Sequence, residues 1–201
     1  MDAQEFWNVI GDYNAHTVAV QAVVLLFVAL SAALSYLQKV NWLAKFALGL
    51  LNLFIGIAFF AAYGTEPVQK FFALPLYLLS GSLLIYESWR NRSDILRKPD
   101  KIQTLLLVLY LLYPLFSLLL GRSFPMTVTY IMPCPAVSLS IAVYSGYRKK
   151  NLLLLILLTM WGLTGVKSVI FNAYEDLVLL LAGIYGVVLI YREINERKAA
   201  S

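Results

Sequence analysis

The chain has 201 residues, 61% hydrophobic and 13% charged, with a formal net charge of +5 and a mean hydropathy of +0.76. A soluble domain carries roughly 25% charged residues, so that class is excluded. The apolar runs are continuous Leu/Ile/Val/Phe stretches without the period-two alternation of a β-barrel.

Residues 1–15 read as an outer interfacial helix. Asp2 and Glu5 have the spacing of a capping box. Phe6, Trp7 and Ile10 then share one face, suited to a membrane surface, and Gly11 can end the helix. The start is acidic (Asp2, Glu5, Asp12), whereas a cleavable signal peptide opens with basic residues. The first apolar segment is therefore expected to be retained.

Seven apolar segments follow, at about 16–37, 42–63, 68–89, 102–121, 124–146, 151–171 and 175–192. Each is near the ~20 residues that cross a bilayer as a helix. The expected fold is all-α and integral to the membrane, one seven-helix transmembrane domain over residues 1–201. Tyr36, Trp42, Tyr63, Trp89, Tyr147, Tyr174 and Tyr191 mark the segment edges, where aromatic residues favour the headgroup level. Thirteen of the sixteen Lys and Arg residues flank one set of alternate gaps. They include Lys39, Arg90, Arg92, Lys98, Arg148, Lys149, Lys150 and Arg197. Basic loops stay cytoplasmic, so the N-terminus is expected outside and the C-terminus inside, in the cell (inner) membrane. This placement explains the basic balance without nucleic acid; the lipid bilayer is the expected partner. The oligomeric state is not legible.

A parallel three-plus-one-plus-three repeat is suggested by matched segment ends. Phe60-Ala61-Ala62-Tyr63 parallels Phe171-Asn172-Ala173-Tyr174, and Leu84-Ile85-Tyr86 parallels Leu189-Ile190-Tyr191. Parallel repeats recur in transporters. Short apolar matches also arise by chance.

Polar groups in hydrocarbon are costly unless partnered or wet. Asn52, Tyr77, Tyr110, Tyr130, Cys134 and Lys167 are candidates to line a central cavity; ordinary inter-helix hydrogen bonding is the alternative. Pro133-Cys134-Pro135 is the sharpest local signal. Two prolines near mid-segment remove two donors, and broken helices at mid-depth mark transporter sites. Glu87 is a candidate for ion coupling, or else an interfacial partner of Arg90. Lys167 either snorkels outward or pairs with Glu175, Asp176 or Asp12. Cys134 is a soft ligand, but it is the only cysteine, and His16 the only histidine. No metal site or cofactor is expected. With no zinc motif, nucleophile–base pair or phosphate loop, an enzyme is not expected.

Tyr13-Asn14 before the first segment, with Phe6-Trp7, and Pro133-Cys134-Pro135 in the fifth resemble the landmarks of an uncharacterised bacterial multi-pass membrane family, a domain of unknown function. The resemblance covers most of the length and implies no activity. The layout is similar in architecture alone to sugar-efflux and vitamin-precursor facilitators; the paired Pro-Gln signatures of one such group are absent. The leading expectation is binding and facilitated passage of a small solute through a central polar cavity. The alternative is a membrane-embedded sensor or accessory subunit that binds ligand without transport.

Overall fold

A computed structural model describes residues 3–200, and among these the chain is helical, with one isolated bridge between Leu96 and Tyr147 in place of any sheet. Seven α-helices follow one another: α1 Ala3–Tyr36, α2 Leu43–Ile55, α3 Leu74–Arg90, α4 Lys101–Leu119, α5 Pro133–Tyr144, α6 Leu152–Leu163 and α7 Leu177–Ala200. Four shorter pieces extend them. A π-helix Gly56–Tyr63 continues α2, and another, Gln69–Ala73, leads into α3. A 3₁₀ stretch Thr164–Val169 continues α6, and a short one, Tyr174–Asp176, precedes α7. Six of the resulting helices are long and apolar enough to cross a membrane.

The connections fall into two groups. The start of α1 packs with the α2–α3, α4–α5 and α6–α7 connections; we call this the amino end. The remaining connections, with the helix ends that flank them and the end of α7, carry thirteen of the sixteen Lys and Arg residues and form the basic end.

The fifth element departs from expectation. It begins at Pro133, not near 124, and has 12 residues, about 18 Å at 1.5 Å per residue. That is short of the ~30 Å of a hydrocarbon core. The prolines explain the boundary. The first turn of a helix needs no intrahelical N–H donors, so proline is tolerated there. The residue before a proline avoids the α region, and Met132 is extended at φ −128, ψ 162. Pro133 and Pro135 thus start a half-helix instead of kinking a full one.

The amino-terminal segment also differs. No separate interfacial helix exists, because α1 runs unbroken through Gly11 for 34 residues. Asp2 of the expected capping box lies outside the described residues. Trp7, Val9, Ile10 and Tyr13 are buried against protein, not laid on a surface. Trp7 Nε1 donates to Phe171 O at 3.2 Å, and Phe6 stacks on Phe171 at 5.0 Å. At the other terminus α7 continues to Ala200, past the expected end at 192.

Two helix pairs approach at glycines. A Cβ on Gly81 would sit 2.8 Å from Gly49 O, and one on Gly183 would sit 2.5 Å from the carbonyl carbon of Gly162. Small residues let helix backbones come this close without a driving force between apolar faces. The α2–α3 and α6–α7 hairpins are tied in this way. The well-buried α5 packs among α2, α4, α6 and α7.

Candidate functional site

A cavity of about 260 Å³ opens at the amino end. Its exposed part includes Val68, Phe72 and Lys167, with Glu66 half-buried beside them. Its buried part is formed by Met132, Pro133, Pro135, Ser168, Asp176 and Leu179, with Cys134 half-buried among them. Phe6, Phe59, Phe60, Phe72, Trp161 and Phe171 supply aromatic walls. Phe60 and Trp161 meet edge to face at 5.3 Å, and Trp161 meets Tyr77 at 5.1 Å.

Regular α-helix breaks down around this cavity on every side. Both π-helices, both 3₁₀ stretches and the irregular residues 120–132 contribute to the amino end. π-Turns and interrupted helices recur at functional sites. An irregular backbone away from water must have its polar groups met by side chains, and here it does. Asn14 is fully buried. Its Nδ2 donates to Pro125 O at 2.7 Å and Thr127 O at 2.8 Å. Its Oδ1 accepts from Gln21 Nε2 at 3.1 Å and Thr129 Oγ1 at 3.3 Å. Tyr13 Oη donates to Ile131 O and Tyr77 Oη to Pro133 O, both at 2.7 Å. Ser117 Oγ accepts from Val128 N at 3.0 Å. The Tyr13-Asn14 pair and the Pro133-Cys134-Pro135 run are therefore two parts of one arrangement: the first holds the backbone that leads into the second.

Of the expected site residues, Pro133, Cys134, Pro135 and Lys167 come together at the cavity. The others serve elsewhere. Tyr77 stands behind the wall with its hydroxyl on Pro133 O. Tyr130 Oη donates to Leu111 O at 3.0 Å, and Tyr110 packs on Tyr130 at 5.4 Å, tying α4 to the irregular segment. Asn52 lies deeper in the bundle and donates to Leu48 O at 2.8 Å and Ser140 Oγ at 3.1 Å. Glu87 is at the basic end, accepting from Asn91 and Asn151. Lys167 is exposed and makes no ion pair with Glu175, Asp176 or Asp12.

Asp176 was not among the expected lining residues. In the sequence, Glu175 and Asp176 open the seventh apolar segment and stand out only as possible partners of Lys167. In the structure both are buried, Glu175 at 2% and Asp176 at 8% exposure. Glu175 Oε1 and Oε2 and Asp176 Oδ1 have no hydrogen-bond partner, and neither do Trp161 Nε1 and Ser168 Oγ. The Cys134 thiol and Tyr113 hydroxyl lie within interaction range of the Asp176 carboxyl. Among the described residues no three His, Cys, Asp or Glu side chains are grouped to hold a metal ion.

The basic end is tied together by polar contacts. Lys45 is fully buried, pairs with Asp94 Oδ2 at 3.2 Å, and holds its Nζ 4.1 Å from the centroid of the Tyr147 ring. Asp94 Oδ2 also accepts from Lys149 N at 3.1 Å, and Tyr147 Oη donates to Asn41 O at 2.7 Å. Burial holds the Tyr147 phenol above its usual range, which keeps the ring neutral beneath the ammonium. Arg97 N donates to Gly146 O at 3.2 Å, joining the α3–α4 and α5–α6 connections.

Residues 3–201 match a family of unknown function, DUF6064, and the chain belongs to it. No curated protein and no solved structure matches the chain.

Proposed function

We propose that the protein is an integral protein of the cell (inner) membrane that binds a small solute in the amino-end cavity and lets it pass across the bilayer. The observation that carries this reading is the meeting of five irregular segments around one cavity, with the half-helix α5 beginning at its buried part. Regular helix would fill that space with backbone and side chains. The chain instead commits Tyr13, Asn14, Ser117 and Tyr77 to keeping it open.

The charge bias supports an amino end outside the cell and a basic end in the cytoplasm. With Cys134 replaced by Ala, an impermeant thiol reagent added outside should modify Thr65→Cys and spare Ser93→Cys. The opposite pattern would invert the topology.

The three-plus-one-plus-three repeat belongs to the same proposal. It is supported by the corresponding hairpins α2–α3 and α6–α7, which both close on glycine pairs. Those crossings differ in depth, Gly49–Gly81 nearer the basic end and Gly162–Gly183 nearer the amino end. The likeness is one of packing mode and not of register.

A sensor that binds without transport is the second reading, favoured by the polar contacts that tie the basic end together. Ser140 separates the two. It is fully buried beside Asn52, in the half of the bundle nearer the basic end. Passage requires that this half open to the cytoplasm in turn. Ser140→Cys, with Cys134 replaced by Ala, should then react with reagent added from the cytoplasmic side, more slowly than Ser93→Cys. Complete inertness over hours, beside a reactive Ser93→Cys, would leave binding without passage.

A further inference from the structure

We infer that the solute is an apolar molecule carrying one protonated amine, seated with its ammonium on the Asp176 carboxyl and its apolar body among the aromatic walls. This rests on the reading that the cavity binds a small solute, and it names the class. The lining holds four titratable side chains: Glu66, Cys134, Lys167 and Asp176. Lys167 is exposed and Glu66 half-buried, so water screens both. Asp176 is the buried acidic group, and its Oδ1 is unpartnered. Glu175 beside it adds a second buried carboxyl with both oxygens unpartnered.

A carboxylate with a free oxygen in an apolar setting is stabilised by a cation or a donor and destabilised by an anion. Ser168, at 3% exposure, also lines the cavity with a free Oγ, which can take a second N–H or a hydroxyl. Trp161 Nε1 is a free donor beside it. The rest of the wall is mostly apolar, and aromatic faces attract ammonium groups. A bare metal ion would find too few ligands, since no three suitable side chains are grouped among the described residues. A simple sugar would bring no positive charge to the buried Asp176 carboxyl. An acid would meet the Asp176 carboxyl with like charge.

The test uses three probes of nearly equal size: phenethylamine, 2-phenylethanol and phenylacetate. Binding to the full-length protein in nanodiscs is followed by calorimetry, and by the slowing of Cys134 alkylation. The amine should bind roughly tenfold tighter than the alcohol, the scale of a desolvated charge-assisted contact, and phenylacetate weaker than both. Asp176→Asn should remove the preference for the amine over the alcohol. The comparison in the unmodified protein stands even where the variant folds poorly. Equal binding of amine and alcohol, with both slowing alkylation, would overturn the amine assignment and leave a solute cavity. No binding by any probe, with no slowing of alkylation, would overturn the amine assignment. The cavity reading itself would fall if Cys134 also proved unreachable from the amino side.

Discussion

Asn14→Ala is expected to be among the most damaging single substitutions in the chain. It strands the carbonyls of Pro125 and Thr127, which accept from Asn14 Nδ2 at 2.7 and 2.8 Å. A buried acceptor left unmet costs about 1–3 kcal/mol, and two are affected. Gln21 and Thr129 lose an acceptor as well, although Thr129 Oγ1 keeps Gln21 Oε1 at 2.7 Å. Asn14→Asp should do no better. It preserves shape but turns a double donor towards two carbonyls as an acceptor. Both variants should lower the unfolding midpoint in detergent, and both should loosen residues 125–131 ahead of α5, raising their hydrogen exchange. An unchanged midpoint for Asn14→Ala would show that the irregular segment is held by other contacts.

Breaking the Lys45–Asp94 pair is expected to have an effect of similar size. Each partner is buried, with side-chain exposures of 0% and 5%. Removing one partner leaves an uncompensated buried charge, which costs about 3–5 kcal/mol. Lys45→Met keeps the stem and leaves Asp94 only Lys149 N at 3.1 Å. Asp94→Leu leaves the Lys45 ammonium over the Tyr147 ring alone. The double replacement should recover much of the loss, since apolar side chains of similar volume can replace a buried pair at little cost. Unfolding measurements on all four proteins give the coupling directly. Strictly additive losses would mean that the two side chains do not act as a pair.

Several features of the fold are legible from composition and charge because they depend on sums. Long apolar runs and loop charge do not require any one contact to be known. Four of the six helices long enough to cross a membrane lie within a few residues of expected segments, whereas α1 starts well before residue 16 and α7 runs well past residue 192. Local geometry is less legible. The run 124–146 is apolar enough for a full span, and only the phase of Pro133 and Pro135 turns it into a half-helix. Proline reads alike as a kink or as a first turn until the preceding backbone is seen. Gly11 reads as a helix end, yet the partners that keep α1 going, Pro125, Met126 and Phe171, lie more than a hundred residues away. The candidate site was half visible. Pro133-Cys134-Pro135 and Lys167 stood out as polar or helix-breaking residues inside apolar segments. Asp176 did not, because an acidic pair at a segment boundary looks solvated until packing buries it. Tyr77, Tyr110 and Tyr130 stood out for the same reason as true lining residues. Their hydroxyls instead donate to backbone carbonyls of α4, the irregular segment and the start of α5, and no spacing rule separates the two uses.

Cys134 offers the most direct test of the central claim, because it is the chain's only cysteine and lines the cavity. The measurement is its rate of modification by a small, impermeant methanethiosulfonate reagent in sealed, oriented vesicles, with the reagent supplied to one face at a time. A cavity open at the amino end predicts modification from the face that also reaches Thr65→Cys, and none from the face that reaches Ser93→Cys. The rate should be below that of Thr65→Cys, since Cys134 is only partly exposed. A cysteine that stays unmodified from the amino face, or that reacts first from the basic face, would contradict the account.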